Sequence, residues 1–142
     1  MLKTQFHYTG IKAIPLPGKR AVRQFISSLF EREGKILQRL DYIFCSDEFL
    51  LKINQTHLNH DFYTDIITFD LSEGGGVIGE IYISLDRVKE NAKLFGNTTK
   101  QELLRVIIHG ALHLCGYLDK TKTQIAIMRK MENSYLLLYD NL

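Results

Sequence analysis

Hydrophobic positions along this chain change their period several times, and each change marks an element. The apolar and polar alternation over residues 5–9 predicts a first strand. After the breaker Pro15-Leu16-Pro17-Gly18, a helix is expected over 20–33, with Val22, Phe25, Ile26 and Leu29 on one face and Gly34 as its stop. Residues 35–46 hold Ile36, Leu37, Leu40, Tyr42, Ile43, Phe44 and Cys45, and their later part reads as a strand, followed by a short helix over 47–54. Two segments rich in β-branched and aromatic residues, 64–71 and 77–84, are joined through Ser72-Glu73-Gly74-Gly75-Gly76 and predict a hairpin. The triple glycine is its tip and not a phosphate cradle, because no lysine-serine pair or helix start follows it.

Three helices complete the series. Ser84 is placed to cap one that runs to about Phe95 and stops at Gly96, and Thr99 with Glu102 has the spacing of a capping box for the next, which runs to about Cys115. That helix is apolar nearly all round, through Leu103, Leu104, Val106, Ile107, Ile108, Ala111, Leu112 and Leu114, so it should be central. Thr121 with Gln124 makes a second box, opening a last helix whose Ile125, Met128, Met131, Tyr135 and Leu138 form a packing stripe. Strands and helices mix with no repeat, low-complexity tract or linker between them, so the expectation is one α+β domain spanning residues 1–142.

The candidate chemistry lies at the end of the central helix, in His109-Gly110-Ala111-Leu112-His113-Leu114-Cys115-Gly116-Tyr117-Leu118-Asp119. Residues four apart share one helix face, so both imidazoles can reach a single cation at roughly 2.0–2.1 Å. Gly116 suits the left-handed position that ends the helix and turns the chain, so that Asp119 folds back as a third ligand. One histidine on an apolar face reads most simply as a hydrogen-bonded core residue; two in register, followed by a glycine turn and a carboxylate, read as His109, His113 and Asp119 holding a divalent metal. Three nitrogen and oxygen ligands leave a coordination position open, which favours catalysis over scaffolding. Cys115, two residues past His113, points to nearly the opposite face and reads as core.

Composition excludes several classes. Eighteen basic against sixteen acidic residues give a net charge of +2, too even to argue for nucleic acid by itself. Cys45 and Cys115 lie apart in apolar stretches and form no secreted-type disulfide framework, so no disulfide partner and a reducing cytoplasm are expected. The first residues lack the pattern of a signal peptide and no apolar run approaches about 18 residues, so no membrane partner is expected either.

The segment from His109 to Asp119 resembles the HGxLHLxGYDH signature of the YbeY family, metal-dependent endoribonucleases that act in rRNA maturation. Asn54 with Thr64-Asp65-Ile66-Ile67-Thr68-Phe69 resembles that family's LN…TDVLSF block, and Gly79-Glu80-Ile81-Tyr82-Ile83-Ser84 its GDIxIS block, all in the expected order. The resemblance covers most of residues 36–119. It implies a small mixed sheet of about four strands packed against several helices, a zinc site on the matching positions, and a precursor of rRNA with the small ribosomal subunit as partners. The chain departs from the pattern in two places, one of them covering two positions. Asp119 stands where the family ends in a third histidine, which keeps a ligand but lowers the charge of the site and makes nickel, iron or manganese more competitive with zinc. Leu58 and His60 stand where the family commonly has an arginine and a lysine, so a bidentate phosphate partner is lost and His60 replaces it only in part.

The residues narrow the chemistry further. Zinc peptidases place a glutamate directly after the first histidine as general base, and here that residue is Gly110. A hydrolase without it relies on a metal-activated water, which suits phosphodiester cleavage, and no general base is assigned. Asp65, Glu80 and Glu102 are candidates to move protons or to orient the histidine N–H groups, each with an ordinary alternative in a cap or strand end. Lys120 and Lys122, like His60, are candidate RNA contacts that would confer no sequence preference, with a solvated loop as the alternative. The reading is a single-strand-preferring, metal-dependent endoribonuclease of rRNA maturation. Its rivals are a non-catalytic ribosome-assembly binding factor with a structural metal, another metal-dependent hydrolase, and a two-histidine-one-carboxylate iron site.

Overall fold

The computed structural model of the protein describes residues 2–11, 16, 18–59 and 64–142, so both prolines of the breaker and His60 lie outside the described residues. Its elements are β1 (Thr4–Thr9), α1 (Lys19–Arg32), β2 (Leu37–Cys45), α2 (Asp47–Leu58), β3 (Ile66–Asp70), β4 (Val77–Ser84), α3 (Leu85–Phe95), α4 (Thr99–Leu114) and α5 (Lys122–Asp140). The strands form one mixed sheet in the order β1-β2-β4-β3, with β1 parallel to β2, β2 parallel to β4, and β3 antiparallel to β4 as the expected hairpin. The α+β expectation holds.

Strand periodicity gives each sheet face its own cover. Leu40, Tyr42 and Phe44 of β2 join Ile81 and Ile83 of β4 in the main core, together with Val22, Ile26 and Leu29 of α1 and the apolar body of α4. The opposite face carries a smaller cluster in which Cys45, Ile67, Phe69 and Tyr82 meet Phe49, Leu50 and Ile53 of α2. Among the described elements α4 touches β3, β4, α1, α3 and α5, which explains why nearly all its faces are apolar. Two glycines let it settle close to the sheet. A Cβ on Gly79 would meet Leu114 Cδ1 at 2.6 Å, and one on Gly110 would meet Ile81 Cδ1 at 2.8 Å. The buried Tyr42 hydroxyl donates to the Ile107 carbonyl at 2.8 Å, which fixes the helix along its axis two residues before His109.

Several boundaries differ from the sequence reading for physical reasons. The capping box of α4 is Thr98 with Gln101, one residue before the expected Thr99 and Glu102; Glu102 is 5 % exposed and faces inward, so it cannot serve an exposed cap. The short helix after β2 continues to Leu58, because Asn54 packs inward and Asn59 supplies the left-handed residue that ends it. On α5 the inward residues are Met128, Glu132 and Tyr135, while the stripe expected there is broken by Ile125 and Leu138, both exposed.

Candidate metal centre

The end of α4 closes by a hydrogen-bond pattern that also shapes the site. Gly116, at φ 106, donates to the His113 carbonyl at 3.0 Å, and Tyr117 N–H donates to the Leu112 carbonyl at 3.1 Å. This is the double helix-end bond that a left-handed glycine permits. The reversed chain brings Asp119 back to the histidines: its Oδ2 lies 3.2 Å from His109 Nε2 and 3.3 Å from His113 Nε2. Ligand atoms held at 2.0–2.2 Å around a tetrahedral ion are about 3.3 Å apart, so these separations fit a common cation. The two imidazoles lie nearly perpendicular, at 86° with ring centroids 4.6 Å apart.

Each imidazole has its far nitrogen committed. His113 Nδ1 lies 2.8 Å from the Tyr117 carbonyl, which can only accept, so Nδ1 carries the proton and Nε2 faces Asp119. His109 Nδ1 lies 2.6 Å from Glu132 Oε2, so it donates to a carboxylate on α5. The other Glu132 oxygen accepts from Arg105 at 2.9 Å, with Arg129 at 3.6 Å, while Arg105 also donates to Asn133 at 2.8 Å. Burial opposes the charged form of His109, but Glu132, Asp119 and Asp65 outweigh it and hold the group above its ordinary pKa. Burial likewise pushes the Glu132 carboxyl upward, and the His109 and Arg105 hydrogen bonds override it to leave that pKa low.

Glu132 was missed in the sequence, and the three carboxylates considered for its role do not fill it. Glu80 accepts from Tyr82 instead. Glu102 is buried in the cleft wall with Oε1 lacking a partner among the described residues, and its pKa is raised by that burial. Asp65 lines the same cleft and is also raised by burial. Cys115 is buried, free, and pushed up to about 12 by its apolar surroundings, as its core reading expects.

The triad opens on a cleft of about 930 Å³. Lys120 lines it, whereas Lys122 stands exposed at the start of α5 outside the lining. Arg105 and Arg129 line it too, as do three exposed apolar side chains, Leu58, Phe95 and Ile125. His57 packs edge-on against Phe69 instead of entering the cleft.

A central helix with two imidazoles one turn apart, a carboxylate returned by a glycine turn, and committed far nitrogens define an α+β protein able to hold a divalent cation beside an open cleft. The chain belongs to the Endoribonuclease YbeY family, whose model matches residues 14–140. It is similar to endoribonuclease YbeY of Cytophaga hutchinsonii, 46% identical over 135 residues that cover 94% of either chain. It is also similar to that of Porphyromonas gingivalis, 45% identical over 138 residues covering 97% of this chain and 91% of the relative. Among solved structures, the solution structure of TM1509 from Thermotoga maritima superposes with a TM-score of 0.59 at 29% identity, over 96% of this chain and 93% of that one.

Proposed function

We propose that this protein is a metal-dependent endoribonuclease that cuts unpaired segments of rRNA precursors during maturation or quality control of the small ribosomal subunit, with the whole chain acting as one cytoplasmic domain. The observation that carries the reading is the convergence of His109 Nε2, His113 Nε2 and Asp119 Oδ2 at an open cleft, where a zinc ion would be held by all three. Nickel, iron or manganese fit the same donor set less selectively, because one ligand is a carboxylate. When bound, the cation supplies a Lewis acid for a phosphoryl oxygen and lowers the pKa of a water.

The chain's own residues do the positioning. Glu132 and the Tyr117 carbonyl keep both imidazoles in the tautomer that presents Nε2. Packing of Gly110 against Ile66 and Ile81 leaves no room for the glutamate that a peptidase would carry there. The cleft wall argues for unpaired substrate. Phe95 is 63 % exposed and, with Leu58 and Ile125, offers apolar surface to the face of a base, which a duplex hides. Lys120 in that lining, Lys122 beyond it, and His60 would add phosphate contacts without sequence preference. Two free, buried thiols suit a reducing compartment, and no described helix is long and apolar enough to cross a membrane.

The test pairs elemental analysis of the purified protein with cleavage of single-stranded and duplex RNA by wild type and Asp119→Ala. Stoichiometric metal and cleavage of the unpaired substrate, both lost in the variant, are expected. Stoichiometric metal with no cleavage of RNA or of pre-ribosomal particles would overturn the enzymatic reading. A second reading, a ribosome-assembly binding factor whose metal fixes the fold, is favoured by Leu58, an apolar side chain at a cleft edge where a cation would grip phosphate. It predicts that Asp119→Ala unfolds the domain.

A further inference from the structure

We infer that Glu33, on a helix that contributes no ligand, is a positioning residue for the metal centre, acting through Tyr117 on His113. The inference rests on the ligand assignment of His109, His113 and Asp119 and goes beyond it.

Glu33 caps the C-terminus of α1, where its backbone is fixed by its own N–H bond to the Leu29 carbonyl at 3.0 Å and by the Lys35 N–H bond to Phe30 at 2.9 Å. A carboxylate there faces the negative end of the helix dipole, so it does not serve the helix that carries it. Its oxygens are directed elsewhere. Oε1 accepts from the Tyr117 hydroxyl at 2.8 Å, and Oε2 accepts from the Tyr135 hydroxyl.

Tyr117 is therefore held at both ends. Its N–H donates to the Leu112 carbonyl, its carbonyl accepts a hydrogen bond from His113 Nδ1, and its ring reaches 84 residues back in sequence to Glu33. The carbonyl that orients His113 belongs to the main chain of the loop, and the anchor that holds that residue in place is the phenol at its other end. Asp119 follows two residues later on the same short loop, so one tether serves two of the three candidate ligands. Tyr135 ties the same carboxylate to α5, the helix of Glu132.

The two tyrosines give the test its control. Tyr117→Phe and Tyr135→Phe each delete one phenol on the same carboxylate, but only the first touches the ligand loop. Affinity for Zn²⁺ is measured by competition with a chromophoric chelator, the Co²⁺ absorption spectrum reads ligand geometry, and thermal unfolding of the metal-free proteins reads stability. Tyr117→Phe should weaken Zn²⁺ binding by about 10–100-fold and alter the Co²⁺ spectrum, as loss of a partner behind a ligand does. Tyr135→Phe should lower the metal-free Tm comparably and leave Zn²⁺ affinity within about 3-fold of wild type, since that partner stands behind no ligand. Glu33→Gln, which keeps one acceptor, should fall between wild type and Tyr117→Phe. Equal Zn²⁺ affinity in wild type and Tyr117→Phe, or equal losses in both phenylalanine variants, would overturn the inference alone. A wild type that takes up no stoichiometric Zn²⁺ would overturn the ligand assignment with it.

Discussion

His109 and His113 are the same residue on the same helix, one turn apart and similarly exposed, yet they are oriented by different kinds of acceptor. His109 Nδ1–H donates to Glu132, a side chain on α5 that also gathers Arg105 and Arg129. His113 Nδ1–H donates to the backbone carbonyl of Tyr117, four residues on, in the turn that Gly116 makes. One support is electrostatic and can be deleted by substitution. The other is conformational and is reached through what holds the turn, the left-handed Gly116 and the Tyr117 tether to Glu33. The difference also divides the chemistry, because a carboxylate makes its histidine a stronger donor than a neutral carbonyl does. The two ligands are thus unequal although the sequence motif presents them as a pair.

The change that breaks both sides at once should be the largest. Asp119 Oδ2 is within 3.3 Å of either Nε2, so Asp119→Ala removes the one group common to both histidines. A direct ligand should matter more than the partners behind it, whose loss costs 10–100-fold, so metal affinity should fall by roughly 10³-fold or more, with RNA cleavage lost in parallel. Asp119 is 39 % exposed and on a loop, so the metal-free fold should change by under about 0.5 kcal/mol in chemical denaturation. Unfolding of the metal-free variant would show that the carboxylate is scaffold.

Breaking only the His109 side comes next. Glu132→Gln keeps an acceptor for His109 Nδ1 but removes the charge, whereas Glu132→Ala removes both and takes from the half-buried Arg105 its carboxylate hydrogen bond, leaving the one to Asn133. The alanine variant should lose about 3 kcal/mol of stability from the broken buried pair and 10–100-fold in metal affinity. The glutamine variant should recover most of the stability and only part of the affinity. Full recovery of affinity by glutamine would mean that position and not charge is what Glu132 supplies, and the inequality of the two histidines would shrink to geometry.

The His113 side is tested by the turn. Among the described residues nothing lies within 4 Å of a Cβ built on Gly116, so Gly116→Ala meets no clash with them and is opposed by the left-handed φ of 106°. That costs about 1–2 kcal/mol in unfolding experiments. It should lower metal affinity by about 10-fold through the displaced Tyr117 carbonyl. Loss of stability without loss of affinity would show that His113 does not depend on the turn.

What was legible in the sequence follows the same division. His113, Gly116 and Asp119 are local, within one helix end and one turn, so helical period and glycine chemistry suffice to bring them together. Glu132 acts 23 residues away from His109, on a helix whose stripe reads locally as packing. The signal was present: among the inward positions 128, 132 and 135, one carboxylate, Glu132, falls between Met128 and Tyr135. A charge on a buried face needs a partner, but periodicity names no partner. The sheet order β1-β2-β4-β3 was equally out of reach, since it depends on which strands the helices bring side by side. The register of the α4 cap turned on Glu102 being drawn into the cleft wall, again a tertiary fact that Thr98 and Thr99 alone do not distinguish.

The smallest expected effect sharpens the comparison by showing where the ligand set stops. Cys115 follows His113 by two residues and is the C-cap of α4, so a thiolate there would be the obvious fourth donor. The helix turns its side chain into the core beneath the site, where burial and the nearby Glu33 carboxylate push the thiol up to about 12. A thiol that resists ionisation is a poor ligand and a poor nucleophile at neutral pH. Cys115→Ala should therefore cost about 1 kcal/mol of stability for the small void it leaves, and shift metal affinity by less than about 2-fold. Alkylation of the native protein at pH 8 should leave the thiol unmodified until denaturant is added. A tenfold loss of metal in Cys115→Ala would place a sulfur in the coordination sphere, close the position on which hydrolytic chemistry depends, and make the centre a structural one.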